Sequence, residues 1–403
     1  MIAISLGLAL ILFSVGMQID THQTMIDLGV RMGSGHVAIQ AEGYQQHRSL
    51  DYLLSGSRRL LAQLRQLSGV RRAIPRLEAA GLVRAGESSA AIAVVGVDPS
   101  EEQAVAGLAR KSYRRRGRYL SADVRGNRPA DIYIGSGLAQ TLQVGVGDRV
   151  VLTVSPLDDR ANSSAAFVVC GIFRTGVTEL DSFLVQLPLS AAQQLLSVGD
   201  GLTQIAVLLE DGDSARATAA RWQARFAAQH GTAMRREILP WQVTHAELYD
   251  GLKLDKNFNY LIAGIIFLII AIGIFNTIQM SVVERTRQFG VMMALGTAPR
   301  RMFALVVAEA TLIAIVGAIV GLAIGLALHG LMVRYGIDIE TMSGGVDSYE
   351  FGGVALTGTL HSRLPVPIVA LWAAIIVAIT LLSGIYPALR ATRLRPVSAM
   401  RHS

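Results

Sequence analysis

Four long apolar stretches dominate the hydropathy pattern of the chain. They cover residues 1–19, 257–280, 302–328 and 366–387. A helix needs about 20 apolar residues to cross a hydrocarbon core of about 30 Å, so each stretch predicts a transmembrane helix. A cleaved signal peptide is the alternative for residues 1–19, but the stretch has neither a basic leading region nor a small-x-small cleavage site. We therefore expect an uncleaved first helix.

Residues 20–256 show the different pattern of a folded domain, in which short strand-like runs alternate with helical ones. The predicted strands cover residues 36–40, 91–97, 131–134, 149–154, 166–173, 182–187 and 204–209. The predicted helices cover residues 50–67, 190–196 and 214–229. Such alternation predicts a mixed α/β domain. The fold class is therefore an α+β membrane protein, with this large domain between the first and second transmembrane helices.

Charged residues between the apolar stretches predict the orientation of the chain. The connection 281–301 carries four arginines and one acid, and the tail 388–403 carries four arginines and no acid. The connection 329–365 has two arginines and four acids. Because short cytoplasmic loops are enriched in basic residues, the first two segments are expected in the cytoplasm. Both termini would then be cytoplasmic, with the large domain and the connection 329–365 outside.

The polar passage between the second and third apolar stretches has the periodicity of an amphipathic helix. Its apolar or small positions recur at helical spacing in Phe289, Met292, Met293 and Gly296. The polar residues Glu284, Arg285, Arg287 and Gln288 lie off this stripe. Gly296 predicts the end of this helix, and Thr297 with Pro299 predicts the start of the next. The pattern alone also allows a solvated charged turn.

Composition agrees with a soluble domain attached to several spans. Hydrophobic residues make up 51% of the 403 residues, and the mean hydropathy of +0.43 excludes an ordinary soluble protein. The net charge is +7, yet residues 20–256 contain 27 basic and 24 acidic residues, so most of the excess flanks the apolar stretches. We therefore expect membrane lipids and no nucleic acid as partners. The one cysteine, Cys170, permits no internal disulfide and is expected to be a buried strand residue.

Small and polar residues inside the apolar stretches are candidates for helix packing or function. Gly317, Gly321 and Gly325 recur every four residues, which lets helix backbones approach closely, within one subunit or between two. Asn276 and Glu309 are the intramembrane polar candidates. The Glu309 carboxylate lies about two helical turns from Arg300 and Arg301 in sequence, so it could extend toward them.

We find no sequence pattern for catalysis or metal binding. The chain lacks GxxxxGK[ST], HExxH and GxSxG, and no His, Cys and acid cluster has ligand spacing. The pair of glycines in YIGSGLAQ, residues 133–140, predicts a tight turn from strand to helix in preference to a nucleotide site. The basic run at residues 111–118 could contact anionic headgroups, although a solvated surface segment is favoured.

Several segments resemble one family of membrane proteins. Residues 276–302, NTIQMSVVERTRQFGVMMALGTAPRRM, resemble the second span and coupling helix of the FtsX/MacB class of ABC transporter permeases. Residues 29–44 and 131–154 resemble the periplasmic core domain of the lipoprotein-releasing LolC/LolE type. Gln288, Phe289 and Met292 depart from the usual sequence of the coupling helix, which commonly has an acidic residue, an isoleucine and a basic residue at these three positions.

The resemblance implies a non-catalytic permease subunit in the bacterial inner membrane, with a large periplasmic domain. Its ATP and Mg would be bound by a partner ATPase dimer, and this chain would hold no cofactor of its own. The implied ATPase-coupling residues are Glu284, Arg285, Arg287, Phe289, Gly290, Met293, Leu295, Gly296 and Arg300. Family members usually carry an amphipathic cytoplasmic helix before the first span, which implies a misplaced start or a trimmed chain here.

The resemblance also implies a domain organisation. One lobe would comprise residues 30–97 and 200–245, and an inserted lobe would comprise residues 98–199. A carrier-binding hook is expected in the family's loop that corresponds to residues 155–165, but this loop is short here and has its only proline at the start.

The implied function is extraction of lipoproteins or other amphiphiles from the inner membrane. A second permease copy or a paralogue is an expected partner, together with a possible periplasmic carrier or adaptor. The alternatives are FtsX-type signalling to a cell-wall hydrolase and MacB-like efflux with an adaptor. A membrane-anchored enzyme is disfavoured because no catalytic pattern is present.

Overall fold

The computed structural model describes residues 1–54, 56–105, 108, 112–121, 129–157, 162–230, 236–338, 349–351, 354–356 and 359–392. Two compact units make up the chain. The helical unit comprises Met1–Gln23, Leu252–Gly345 and Gly358–Ser403, and the α/β unit comprises Thr24–Gly251 and Val346–Thr357.

Within the described residues, four helices are long and apolar enough to cross a membrane, as the sequence predicts. They are α1 Ile2–Met32, α10 Ala246–Glu284, α12 Pro299–Tyr335 and α13 Val366–Thr392. Helices α1 and α10 are longer than their apolar stretches, 1–19 and 257–280. Hydropathy identifies only the apolar length of a helix, whereas backbone hydrogen bonding continues into polar residues that contain no helix breaker.

The three glycines of α12 lie against α1. A Cβ atom at Gly321 would lie 2.9 Å from the carbonyl oxygen of Ser5, and one at Gly317 would lie 2.8 Å from the side chain of Ile4. Gly325 faces Leu12 in the same way. The Ser5 hydroxyl also donates a 3.1 Å hydrogen bond to the Gly317 carbonyl oxygen. Within this chain, therefore, the glycines permit close packing of two helices of the same subunit.

The α/β unit is built on one ten-stranded mixed sheet. Its strands are β1 Val37–Ala41, β2 Val70–Ala85, β3 Ser88–Val97, β4 Ser112–Gly117, β5 Ala130–Gly135, β6 Arg149–Val154, β7 Ser163–Phe173, β8 Leu184–Pro188, β9 Gln204–Leu209 and β10 Arg236–Pro240. The order is β10-β1-β9-β2-β3-β8-β5-β7-β4, and β6 pairs with both β2 and β7. Two short strand pairs lie elsewhere, β11 Ile337–Asp338 with β14 Thr359–Leu360 and β12 Tyr349–Phe351 with β13 Val354–Leu356.

Short helices connect and cover these strands. They are α2 Tyr44–His47, α3 Ser57–Arg65, α4 Pro99–Val105, α5 Ser136–Leu142, α6 Thr178–Phe183, α7 Leu189–Leu196, α8 Ala215–His230 and α9 Trp241–Thr244. The glycine-containing turn of YIGSGLAQ joins β5 to α5. Cys170 is buried in β7 and its thiol donates to the Ile132 carbonyl oxygen, and burial raises its pKa to about 12.

The sheet runs through both predicted lobes. Residues 30–97 and 200–245 supply β10, β1, β9, β2 and β3, whereas residues 98–199 supply the other five strands. The long β2–β3 hairpin joins the two sets, because Gly81–Arg84 pair with β6 while Val70–Arg76 pair with β9. The division into lobes at residue 97 stays a prediction.

Substitution of Gly321 tests the contact between α1 and α12. We expect Gly321→Leu to destabilise the protein by about 1–3 kcal/mol, because the new side chain must displace the backbone of Ser5. Gly330→Leu on the same helix is the matched control, since a Cβ atom there meets nothing within 4 Å. Thermal unfolding in detergent measures both variants. Equal unfolding temperatures for the two would contradict the packing described.

Candidate functional site

The turn between α10 and α12 contains a separate short helix, α11 Thr286–Ala294. The bend from α10 into α11 occurs at Arg285 alone. At the other end, Gly296 has a φ of +90°, its N–H donates to the Met293 carbonyl, and the Thr297 N–H donates to the Met292 carbonyl. These two bonds form a Schellman motif, in which glycine is favoured. The predicted order of helix, break and helix is therefore present.

One face of α11 is packed into the helical unit. Phe289 is 3% exposed and shares a hydrophobic core with Val282, Met302 and Ala388. Gly290 is buried, and Met292 and Met293 are half-buried against the same core. This face carries the predicted apolar stripe, except that Gly296 lies in the exposed turn.

The opposite face of α11 and its flanks remain exposed. Leu295 is 82% exposed and Val291 is 43% exposed, one helical turn apart. The other exposed residues among the implied coupling set are Glu284, Arg285, Arg287, Gly296 and Arg300. Sequence analysis did not single out Val291. The arrangement provides a short surface with apolar and cationic groups on a helix whose other face is anchored.

The Glu309 carboxylate pairs with Arg285, and not with Arg300 or Arg301 as the sequence suggested. The distance between Arg285 Nη1 and Glu309 Oε2 is 3.4 Å, and the Ser281 hydroxyl lies 3.5 Å from Glu309 Oε1. With 3.6 residues per turn, Arg300 lies about 180° around the helix from Glu309. The bend at Arg285 brings a different guanidinium across from the end of α10, which linear spacing could not indicate.

The other polar candidate of the apolar stretches has no comparable contact. Asn276 is exposed on α10 and has no side-chain hydrogen bond to the described residues. Its neighbour Gln279 has a buried carbonyl oxygen without a hydrogen-bond donor in the described part of the chain.

A second polar cluster, which sequence reasoning missed, lies in the α/β unit. Arg76 is 2% exposed, pairs with the buried Glu102 at 3.2 Å, and donates to the carbonyl oxygens of Arg31 and Met32. The guanidinium thus satisfies carbonyl groups at the C-terminal end of α1, where cations are favourable. No spacing rule distinguishes these two charged residues from the many others in this domain.

His245, just before α10, joins the same region. Its Nε2 lies 3.1 Å from the Ser34 hydroxyl, which also contacts the Thr244 hydroxyl. Burial, with the nearby charges of Arg48 and Arg76, lowers the pKa of His245 to about 4. The imidazole is therefore neutral at pH 7 and links the end of α1 to the start of α10.

Three segments for which the sequence makes predictions lie wholly or partly outside the described residues. They concern the basic side chains at 111–116, the loop centred on residues 158–161 and the tail from 393 to 403. Among the described residues, no group of three or more His, Cys, Asp or Glu side chains is placed to hold a metal ion.

The described residues contain four span-length helices, a mixed α/β domain after the first of them and a short amphipathic helix between two others, which are features of a multi-pass membrane protein. Residues 1–225 match the MacB-like periplasmic core domain, and residues 260–396 match the FtsX-like permease C-terminal domain. The chain belongs to this MacB-like and FtsX-like family of ABC transporter permeases.

The chain is also similar to individual curated proteins and to a solved structure. The lipoprotein-releasing system transmembrane protein LolC of Xylella fastidiosa (strain Temecula1) is 25% identical over 409 residues, which cover 100% of this chain and 92% of that protein. The macrolide export ATP-binding/permease protein MacB of Rhodopirellula baltica is 32% identical over 142 residues, 35% of this chain and 18% of that protein. The periplasmic region of MacB from Actinobacillus actinomycetemcomitans has 16% identity and a TM-score of 0.38, covering 54% of this chain and 94% of that structure.

The pair of Arg285 and Glu309 can be tested by charge exchange. Because both side chains are partly exposed, we expect Glu309→Gln to cost less than about 1 kcal/mol of stability. The double variant Arg285→Glu with Glu309→Arg should restore most of what Arg285→Glu alone loses. A double-mutant cycle of thermal unfolding measures the coupling, and strictly additive effects would contradict a direct pair.

The depressed pKa of His245 predicts a dependence of stability on pH. The unfolded histidine binds a proton near pH 6.5, but the folded one does so only near pH 4. The contribution of His245 to the free energy of unfolding should therefore be fully present above about pH 6.5. It should decrease by about 1–3 kcal/mol as the pH drops toward 4. Thermal unfolding followed by tryptophan fluorescence measures this loss. His245→Asn is the control, and an unchanged pH profile in that variant would refute the assignment.

Proposed function

We propose that this chain transmits the work of a separate ATPase dimer to its periplasmic domain and thereby releases lipoproteins or other amphiphiles from the inner membrane. The observation that carries the proposal is that α11 is buried on one face and exposed on the other. Phe289 anchors one face in the helical unit, while Leu295 exposes a large apolar side chain on the other. An exposed apolar group beside cations suits a protein partner, since such groups are common at the centres of interfaces.

The proposed direction of transmission follows from chain connectivity. Helix α11 is continuous on one side with α10, through the bend at Arg285, and on the other with α12, through the turn at Gly296. A push on α11 would therefore tilt both helices. Since α10 begins at Ala246, directly after β10 and α9 of the α/β unit, the movement would reach the periplasmic domain along one helix.

Orientation is part of the proposal. The excess of arginine in 281–301 and 388–403 supports cytoplasmic placement of α11 and of both termini. ATP and Mg would be bound by the partner ATPase and not by this chain, which contains no phosphate-binding loop sequence. A second permease, either a copy of this chain or a paralogue, would complete the assembly in the membrane.

Cargo is inferred from relatives. The similarity to LolC spans the full chain and supports release of lipoproteins or other amphiphiles, with a periplasmic carrier as a possible acceptor. The local similarity to MacB supports a second candidate function, efflux with a periplasmic adaptor. The two functions differ in the proteins that should accompany this chain.

Purification of the tagged full chain from native membranes in mild detergent tests both candidates. We expect a stoichiometric ATPase subunit together with acylated lipoprotein in the bound fraction. An ATPase with an efflux adaptor would favour the second function, and one with a cell-wall hydrolase would favour FtsX-type signalling. A preparation without any ATPase would refute the proposal.

Variants of α11 test the coupling itself. Gly296→Pro should uncouple ATP hydrolysis from cargo release, because proline cannot adopt a φ of +90° and lacks the N–H that bonds to Met293. Arg285→Glu with Arg287→Glu should reduce cargo-stimulated hydrolysis at least tenfold. Arg334→Glu, at the far end of α12, is the control. Unchanged release by assembled Gly296→Pro and charge-reversed complexes would show that α11 is not the coupling element.

A further inference from the structure

The α/β unit contains a cavity of about 720 Å³ that the coupling proposal does not use. This volume falls within the range of about 300–1,000 Å³ that is common for small-molecule sites. Its lining includes the end of α1, the β2–β3 hairpin, α6 with β8, and the residues from Val243 to Leu248. All of these residues belong to the α/β unit.

Small side chains in the sheet account for the open space. Two rows cross β2, β3 and β8 in register, one formed by Ala80, Ala93 and Leu184 and the next by Glu78, Val95 and Gln186. Because alternate residues of a strand point to one face, both rows line the same side of the sheet. The alanine pair leaves a shallow depression with an apolar floor.

Large apolar side chains border the cavity where solvent can reach it. Phe183 is 38% exposed and Val243 is 46% exposed. Among the described residues 24–251, only five large apolar side chains are exposed, and these two both line the cavity. Exposed apolar groups gathered at a cavity indicate a ligand with an apolar portion.

Several polar groups in and beside the lining surround the carboxylate of Glu78. The Tyr44 hydroxyl and Arg48 Nη1 donate to Glu78 Oε2 at 3.0 and 3.1 Å, and Gln204 donates to Glu78 Oε1. Both oxygens of Glu78 are therefore engaged. The Arg48 side chain is half exposed, and its remaining donors have no hydrogen bond within the described residues. Arg48 can thus donate to an oxygen of a ligand without losing its own ion pair.

We propose that this cavity binds a single-chain amphiphile, with its hydrocarbon chain over Ala80 and Ala93 and an oxygen-bearing headgroup at Arg48. The apolar floor, the exposed Phe183 and Val243 at the border and the free donors of Arg48 together fit that chemistry. The site lies outside the apolar stretches 1–19, 257–280, 302–328 and 366–387, and it would be a periplasmic binding site for cargo or lipid. In this respect the inference deepens the proposed function and depends on it for its physiological meaning.

Photolabelling of the purified full-length complex in nanodiscs tests the site. The probe is a palmitic acid that carries a diazirine on its chain, and labelled peptides are identified by mass spectrometry. We expect labels within residues 178–188 and 241–248, with at least a fivefold loss in Ala93→Leu, which fills the depression. Ala91→Leu is the matched control, because Ala91 lies two residues away on the same strand face, is exposed, and does not line the cavity.

A second variant tests the site independently, in case Ala93→Leu does not fold. Arg48→Gln should weaken competition of unlabelled palmitate at least threefold, whereas competition by hexadecane, which has no headgroup, should not change. Labels confined to the apolar stretches 1–19, 257–280, 302–328 and 366–387, or equal labelling of Ala93→Leu and Ala91→Leu, would overturn the proposal. Labelling needs no ATP, so an intact ATPase complex without cavity labels would refute this inference alone, whereas cavity labels without any ATPase would refute the coupling proposal alone.

Discussion

The burial of Phe289 in the helical unit is the contact on which the proposed coupling depends. A nine-residue helix such as α11 is marginal by itself in water, so its position must come from tertiary packing. Phe289 provides that packing, and the pair of Arg285 and Glu309 adds a directional contact to α12. In the proposed mechanism, these contacts would let a force on the exposed face of α11 move α10 and α12 as well as the turn between them.

A comparable arrangement holds the ends of α1 and α10 in the α/β unit. Arg76 donates hydrogen bonds to carbonyl oxygens at the end of α1. His245, the residue before α10, is within hydrogen-bond distance of the Ser34 hydroxyl, which follows α1. Burial of a charged group or of a neutral imidazole costs free energy unless the group makes hydrogen bonds. These contacts therefore favour the observed arrangement of the two helix ends. The ends of α1 and α10 that belong to the α/β unit are thus held by contacts within that unit.

The sequence predicted the features that lipid and helix geometry constrain most strongly. The four spans follow from hydropathy, and the end of α11 follows from Gly296, because glycine tolerates a positive φ. Strand β2 was not predicted, because arginines at 71, 72, 76 and 84 interrupt the alternation of apolar and polar residues that indicates a strand. The partner of Glu309 and the cluster around Arg76 depend on contacts between distant segments, which no local pattern records. The same is true of the cavity, whose alanines become neighbours only through strand register.

Cross-linking from the exposed face of α11 tests the central claim most directly. The only native cysteine of this chain, Cys170, is buried, so Leu295→Cys introduces one accessible thiol into this chain. A short bifunctional reagent should join position 295 to the ATPase subunit, with a yield that changes when ATP is added. Phe289→Cys, on the anchored face, should give no such product. Efficient cross-linking from Phe289→Cys, or none from Leu295→Cys in a complex that contains the ATPase, would contradict the account.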